Sequence, residues 1–160
     1  MVAEGFEAGG HNGREETTTM VLVPAVKEAV KIPVLAAGGI ATGRQMFAAM
    51  ALGADGVQIG TRFVCSNEAS NHINYKNAIV NSKEGDTMLS MKKVVPVRLF
   101  KNDFFKTIAK AESRGATKEE LAELLGHGRA KKGMLEGDLN EGELEIGEVS
   151  ALIKDIKPAS

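Results

Sequence analysis

The first 60 residues alternate short apolar runs with helical patterns, and this alternation constrains the fold most. The apolar runs are Met1–Ala3, Val34–Ala37 and Gly56–Ile59, with helical patterns at Pro24–Val30 and Arg44–Leu52. Continuous apolar strands separated by helices predict a parallel sheet covered on both faces, with right-handed crossovers. We expect Pro24 in the first turn of the first helix and Gly53 just past the end of the second. The sequence therefore predicts an α/β fold.

Three strands are few for such a sheet, because the mean sheet has about five or six. A three-stranded parallel core would leave unpaired edges and exposed apolar surface. We therefore expect this chain to be the C-terminal portion of a larger fold, with Met1 as a cloning start, an alternative start or an error of gene prediction. The same exposed surface predicts a homo-oligomer, most simply a dimer.

The chain changes character after about residue 66. Patterns beyond it predict a helix over Asn71–Ser82, extended segments at Thr87–Met91 and Val94–Phe100, a helix from Asp103, a helix opened by a capping box at Thr117–Glu120, and a last helix near Glu148–Ile153. We therefore divide the chain into residues 1–66, which form the β/α part, and residues 67–160, which form an extended and helical region.

Composition narrows the class of protein. The formal charge of -1, from 20 basic and 21 acidic residues, gives no bulk reason to expect a nucleic-acid or membrane partner. No apolar run approaches the ~20 residues that span a bilayer. The one cysteine, Cys65, allows no intrachain disulfide and suits a reducing cytoplasm, and we expect it to be buried. No spacing of histidines, cysteines or carboxylates predicts a metal site.

Glycine-rich turns follow all three predicted strands. Gly9-Gly10-His11-Asn12-Gly13 follows the first, Gly38-Gly39 the second and Gly60-Thr61 the third. Because the carboxyl ends of parallel strands meet at one edge of a sheet, we expect the three turns to lie together. Backbone N–H groups in such turns bind phosphate, and in a β/α barrel this end is the catalytic face. The alternative is that these glycines serve only tight turns.

His11 is the strongest candidate for acid/base chemistry, because an imidazole exchanges protons near neutral pH. The alternative is a histidine that only hydrogen-bonds its own turn. His72 is more typical of a surface position, and His127 is intermediate. Glu4 and Glu7 flank the first turn, and their spacing does not decide whether they form a carboxylate pair. A surface or loop-bracing role for Glu7 is an equal alternative, whereas Glu4 at a strand end could hydrogen-bond a ligand or the next strand.

Three ordered segments resemble the FMN-dependent nitronate monooxygenase (2-nitropropane dioxygenase) family. They are Glu7–Gly13 (EAGGHNG), Ile32–Ile40 (IPVLAAGGI) and Leu52–Phe63 (LGADGVQIGTRF). Within this family the chain looks most like the flavin-type enoyl-acyl-carrier-protein reductases, because of the later segments Val95–Arg98, Glu136–Asp138 and Gly147–Val149. Many relatives have glutamine where Glu148 stands, and this departure puts any contact made by that position in doubt.

The resemblance implies a TIM-type (β/α)8 barrel that holds FMN at the carboxyl ends of its strands. Residues 1–66 would supply the last three βα units, and residues 67–160 would complete the barrel and its substrate side. The implied site residues are Gly38, Gly39, Gly60 and Thr61 at the FMN phosphate, Gly9 and Gly10 near the flavin, and His11 as the catalytic residue. Because a full barrel takes about 250 residues, we expect the 160-residue chain to bind FMN poorly by itself.

The resemblance also implies a reaction. NADH or NADPH would reduce the flavin, and hydride would then pass to the β-carbon of a trans-2-enoyl thioester in fatty-acid synthesis. His11 would stabilise or protonate the resulting enolate. As a nitronate monooxygenase, the protein would instead use His11 as a base next to the nitro group and react with oxygen. A third reading, from another class, is a non-catalytic half barrel that binds a phosphate-bearing ligand.

Overall fold

The computed structural model describes residues 1–160 and contains two three-stranded sheets. The parallel sheet has the order β1-β3-β4, with β1 at Val2–Glu4, β3 at Leu35–Ala37 and β4 at Gly56–Gln58. The antiparallel sheet has the order β2-β6-β5, with β2 at Gly10–His11, β5 at Thr87–Ser90 and β6 at Val97–Phe100. The predicted parallel sheet is confirmed, and every predicted strand overlaps an observed one.

Two helices pack on the parallel sheet: α1 at Thr19–Ala29 and α2 at Gly43–Ala51. Their buried apolar side chains form one cluster with those of the strands, including Val23, Val34, Ala36 and Ala49. A capping box between Thr42 and Gln45 begins α2. Gly53 has φ +101° just after α2 ends, as predicted.

The prediction that Pro24 lies in the first turn of α1 is wrong. The helix begins at Thr19, and Pro24 lies inside it. The cause is a contact from outside the helix, because the Glu7 carboxylate accepts the Thr19 N–H at 2.9 Å. A remote carboxylate thus supports a first turn whose N-cap, Thr18, lies in the run Thr17-Thr18-Thr19, a residue type typical of a helix start.

The later part of the chain is mainly helical. It contains α3 at Thr61–Val64, α4 at Ile73–Val80, α5 at Asp103–Ser113, α6 at Lys118–Leu125, α7 at Arg129–Met134 and a 3₁₀ helix at Glu148–Leu152. The predicted capping box at Thr117 is confirmed, and Gly126 ends α6. The helix α7 was not predicted, since it includes Gly133. A Cβ at Gly133 would come within 2.9 Å of the Glu143 oxygen, so close packing requires that glycine.

A buried arginine joins the two sheets. Arg98, on β6, donates to the Phe6 carbonyl from Nε at 3.1 Å and from Nη2 at 2.8 Å, and its guanidinium stacks on the Phe6 ring. Arg98 Nη1 also forms an ion pair with Glu148 Oε1 at 2.9 Å. Glu148, the position at which many relatives have glutamine, therefore contacts Arg98 of the same chain. Burial lowers the pKa of Arg98, and the charge of Glu148 opposes this effect. The loop after β1 is therefore fixed to the antiparallel sheet.

Apolar side chains remain exposed on both sides of the parallel sheet. Val2 and Leu35 are 46% and 38% exposed on its strands, and Phe47 is 74% exposed on α2. Cys65, in contrast, is fully buried, as predicted. None of the helices combines the length and the apolar character needed to cross a membrane.

Candidate functional site

A cleft of about 170 Å³ lies at the carboxyl ends of the parallel strands. All three glycine-rich turns contribute to its lining, together with a later segment; the lining includes Gly9 after β1, Gly38 and Gly39 after β3, Gly60 and Thr61 after β4, and Glu145 and Gly147. The structure thus brings five of the six predicted cofactor residues into one cleft. Gly10 and His11 do not line it and lie beside it on β2.

The turn after β3 requires glycine and leaves N–H groups free. Gly38 has φ +89°, and a Cβ there would come within 2.7 Å of the Gly5 oxygen. Gly39 has φ +73°. The N–H groups of Gly38, Gly39 and Gly60 donate to no carbonyl of the chain. Unpaired N–H groups that converge on a cleft favour an anionic ligand there.

A segment from the end of the chain closes one side of the cleft. The buried Thr61 hydroxyl accepts the Gly147 N–H at 3.0 Å, and the Glu148 N–H donates to the Glu7 carbonyl at 3.0 Å. The hydroxyl of the buried Tyr75 donates to the Glu145 carbonyl at 2.6 Å. The first two bonds hold this segment against the turns after β4 and β1, and the third holds Glu145 against α4.

The carboxylate of Glu7, a residue that also lines the cleft, braces the site. Its two oxygens accept the Thr19 N–H at 3.1 and 2.9 Å, and the Thr19 hydroxyl lies 3.1 Å from one of them. The same hydroxyl lies 3.0 Å from the Gly38 carbonyl. Among the alternatives open for Glu7, the structure shows the loop-bracing role, and through Thr19 the bracing reaches the Gly38 turn.

Other carboxyl groups on this side of the molecule are partly desolvated. Burial raises the pKa of Glu4 and of Glu145, and the charge of His11 opposes the shift in both. Burial and the neighbouring Glu145 raise the pKa of Glu143 to about 6, against the opposing charges of His11 and Arg129. His11 is itself exposed on β2, so it lies at the rim of the cleft among these carboxyl groups.

Asn12 braces the turn that carries His11. Its side-chain amide donates to the Ala8 carbonyl at 2.9 Å and to the Gly10 carbonyl at 3.1 Å. The other two histidines lie elsewhere: His72 caps α4 by accepting the Asn74 N–H, and His127 is exposed.

Sequence reasoning missed two residues of this region, Arg98 and Glu145. An arginine in a short apolar strand can be read as a solvent-facing residue, and only the long-range contact with Phe6 shows otherwise. For Glu145 a signal was available. It alternates with Leu144 and Ile146, which are both buried, in a run directly before Gly147.

The comparisons with known proteins agree on one family. The sequence model of the nitronate monooxygenase family matches residues 1–160. The chain belongs to this family. A Staphylococcus saprophyticus protein described as a probable nitronate monooxygenase is 44% identical over 116 residues, which are 65% of this chain and 32% of that protein.

Solved structures of two relatives show the fold. FabK from Thermotoga maritima is 44% identical, with a TM-score of 0.90 over 98% of this chain and 49% of that one. A nitroalkane oxidase from Streptomyces ansochromogenes is 29% identical, with a TM-score of 0.79 over 99% of this chain and 47% of that one. This chain thus forms part of a TIM-type (β/α)8 barrel, as the sequence predicted, and spans about half the length of these two relatives.

Proposed function

We propose that this member of the nitronate monooxygenase family is part of an FMN-dependent oxidoreductase. Its glycine turns would bind the FMN phosphate. One observation carries the proposal: the free N–H groups of Gly38, Gly39 and Gly60 lie together at the carboxyl ends of parallel strands. The cleft lining contains no lysine or arginine, so N–H dipoles and the Thr61 hydroxyl would bind the phosphate.

Whether the glycine turns leave room for FMN can be judged from the atoms that a Cβ at each glycine would contact. A Cβ at Gly38 would fall inside contact distance of Gly5, and one at Gly9 would come within 2.4 Å of the Ile146 backbone. Gly9 therefore lets the loop after β1 pack against residues 145–148. At Gly60, in contrast, a Cβ would meet nothing within 4 Å, so the turn after β4 leaves open space for a ligand at the cleft. Bound FMN would supply the redox chemistry.

Within this class we propose the reduction of trans-2-enoyl-acyl-carrier-protein thioesters with NADH or NADPH. The support is the likeness to FabK, an enoyl-acyl-carrier-protein reductase, which has both a higher identity and a higher TM-score than the nitroalkane oxidase. His11, at the rim of the cleft, would stabilise the enolate or donate the proton that its α-carbon takes up.

Nitronate oxidation is the second candidate. The name of the Staphylococcus saprophyticus relative favours it, at the same 44% identity but over a shorter stretch. In that reaction His11 would accept the proton from the carbon next to the nitro group. A non-catalytic phosphate-binding half barrel remains the candidate from another class.

An assay with FMN in excess separates these candidates. We expect the purified chain to oxidise NADH or NADPH under anaerobic conditions only when a trans-2-enoyl thioester is present. Oxygen uptake that needs an alkyl nitronate and no nicotinamide would favour the second candidate. The absence of both reactions, in protein that still binds FMN at the glycine turns, would favour the binding module.

We also propose that the chain self-associates through its exposed apolar surface, which includes Val2, Leu35 and Phe47. Sedimentation at several concentrations measures this directly. A dimer that dissociates on dilution is expected, and a monomer at every concentration would contradict the proposal.

A further inference from the structure

A strongly basic stretch runs from the connection between β5 and β6 to the start of α6. Residues 91–118 contain eight basic and two acidic residues, whereas the rest of the chain contains 12 basic and 19 acidic ones. Arg98 is buried in its ion pair with Glu148, and the other basic side chains of the stretch reach the surface. The chain therefore has a positive surface region despite its formal charge of -1.

Four exposed cations of this stretch meet at the junction of α5 and α6. Lys110 lies in the last turn of α5, Arg114 is the C-cap of that helix, and Lys118 begins α6. Lys93 comes from the connection between β5 and β6, and its ammonium group donates to the Ala116 carbonyl at 2.7 Å. None of the four forms an ion pair with a carboxylate. We call these four residues the basic surface.

Helix stability explains only part of this cluster. The helix dipole stabilises a cation near the carboxyl end of a helix, which accounts for Lys110 and Lys93. Lys118 instead lies at the amino end of α6, where the dipole disfavours a cation. Lys110 and Arg114 are like charges four residues apart, and such pairs destabilise a helix. The positions of the four charges therefore indicate a role other than folding.

Three carboxylates lie among these cations in the chain, and two of them are engaged with other groups. Glu112 faces β5, where it accepts the Ser90 hydroxyl at 2.5 Å. Glu120 turns back on its own helix and accepts the Thr117 N–H at 2.7 Å. Glu119 is the third, and it is exposed in the first turn of α6. The cations thus outnumber the free carboxylates at this surface.

The basic surface adjoins the rim of the cleft. Asn12, the residue after His11, donates its N–H to the Pro96 carbonyl at 2.9 Å. Two residues further on, the Arg14 guanidinium donates to the Lys92 carbonyl at 2.9 Å. The connection between β5 and β6, residues 91–96, therefore contacts the loop after His11 and, through Lys93, also the junction of α5 and α6.

An acidic protein fits this surface better than a nucleic acid does. Proteins that bind single-stranded nucleic acids combine cations with aromatic side chains on which the bases stack. The aromatic side chains of α5, Phe104 and Phe105, are both buried. The basic surface therefore offers charge without a stacking platform. A protein that carries the substrate of the cleft is a partner to which both the charge and the place of this surface are suited.

We propose that the basic surface docks an acidic face of the acyl carrier protein, which brings the thioester to the cleft. This inference rests on the proposed function, because the reductase reaction uses a substrate bound to a carrier protein. Opposite charges steer the encounter of the two proteins and fix their relative orientation. Docking next to the loop after His11 places the carrier at the rim of the cleft.

The kinetic arm compares a carrier-bound substrate with a free one, with FMN in excess. Lys110→Glu combined with Arg114→Glu should raise the KM for a trans-2-enoyl-acyl-carrier protein about tenfold, because repulsion replaces attraction. The KM for the N-acetylcysteamine thioester of the same acyl group, which lacks a carrier, should not change. A KM change of equal size for both substrates, or an unchanged KM for both, would overturn the inference.

Two further variants complete the kinetic arm. Lys118→Glu should raise the KM for the carrier-bound substrate about threefold, and it places a carboxylate where the α6 dipole favours one, so folding is not at risk. Lys31→Glu is the matched control, because Lys31 is exposed, forms no ion pair and precedes β3, at the opposite end of the parallel sheet from the cleft. It should leave both KM values unchanged.

The binding arm needs no turnover. The chain is titrated with the acyl carrier protein and, separately, with a short single-stranded RNA, and ¹H–¹⁵N NMR follows its N–H signals. The signals of Lys110, Arg114 and Lys118 should shift with the carrier protein, and high salt should weaken the binding. Tighter binding of the RNA, or no carrier binding at this surface, would overturn the inference. Carrier binding here in a protein that reduces neither thioester would keep the docking surface and reject the proposed function instead.

Discussion

The cleft has two walls of opposite character. The glycine wall, Gly38, Gly39 and Gly60, offers free N–H groups, whereas the acidic wall, Glu4 and Glu145, offers partly desolvated carboxyl groups. The glycine wall comes from strand ends about 20 residues apart in the chain. In the acidic wall, Glu145 comes from a segment more than 80 residues further on, which long-range hydrogen bonds hold in place. Local backbone geometry makes one wall, and tertiary contacts make the other.

The largest effect is expected from a Cβ in the glycine wall. Gly38→Ala should cost about 3 kcal/mol of unfolding free energy, since φ is +89° and the Cβ would meet the Gly5 oxygen at 2.7 Å. Gly85 has a similar φ of +82° but open space around it. Gly85→Ala should therefore cost only about 1 kcal/mol of backbone strain. Urea unfolding of both variants measures the difference, and equal losses would show that the Gly38 turn is not tightly packed.

Glu143, the buried carboxyl group that precedes Glu145 of the acidic wall, should make stability depend on pH. Glu143 is buried, and its pKa rises from 4.5 to about 6 on folding. A raised carboxyl pKa gives stability that is present below the unfolded pKa and lost as pH rises through the folded one. Between pH 4.5 and pH 6, wild type should therefore lose about 1 kcal/mol relative to Glu143→Gln. Parallel stability curves for the two proteins would contradict the burial of this group.

A smaller loss of stability is expected for a substitution of Glu7, which holds the loop next to both walls. Glu7→Gln should cost about 1 kcal/mol, because the charged cap of the first turn of α1 becomes a neutral one. Glu15→Gln changes an exposed carboxylate of the same loop and should be nearly neutral. Thermal unfolding compares the two variants. Equal unfolding midpoints would show that the Glu7 carboxylate does not stabilise the first turn of α1.

Sequence alone could predict most of the glycine wall and little of the acidic wall. The order of strands and helices, the turns at Gly38 and Gly60, and the family follow from patterns within short stretches. The start of α1 is marked in the sequence only by the threonines Thr17 to Thr19, and its capping contact with Glu7 of the preceding loop could not be predicted. The two-residue strand β2 and the burial of Arg98 likewise depend on contacts with β6 and Phe6. Such contacts leave no periodic signal.

The central claim is that the glycine wall binds the phosphate of FMN. The sharpest measurement is a ¹H–¹⁵N NMR titration of the 160-residue chain with FMN and, separately, with riboflavin, which lacks the phosphate. Even if FMN binds poorly, as expected, the N–H signals of Gly38, Gly39 and Gly60 should shift with FMN and stay in place with riboflavin. Equal shifts with both ligands, or shifts confined to other residues, would contradict the claim.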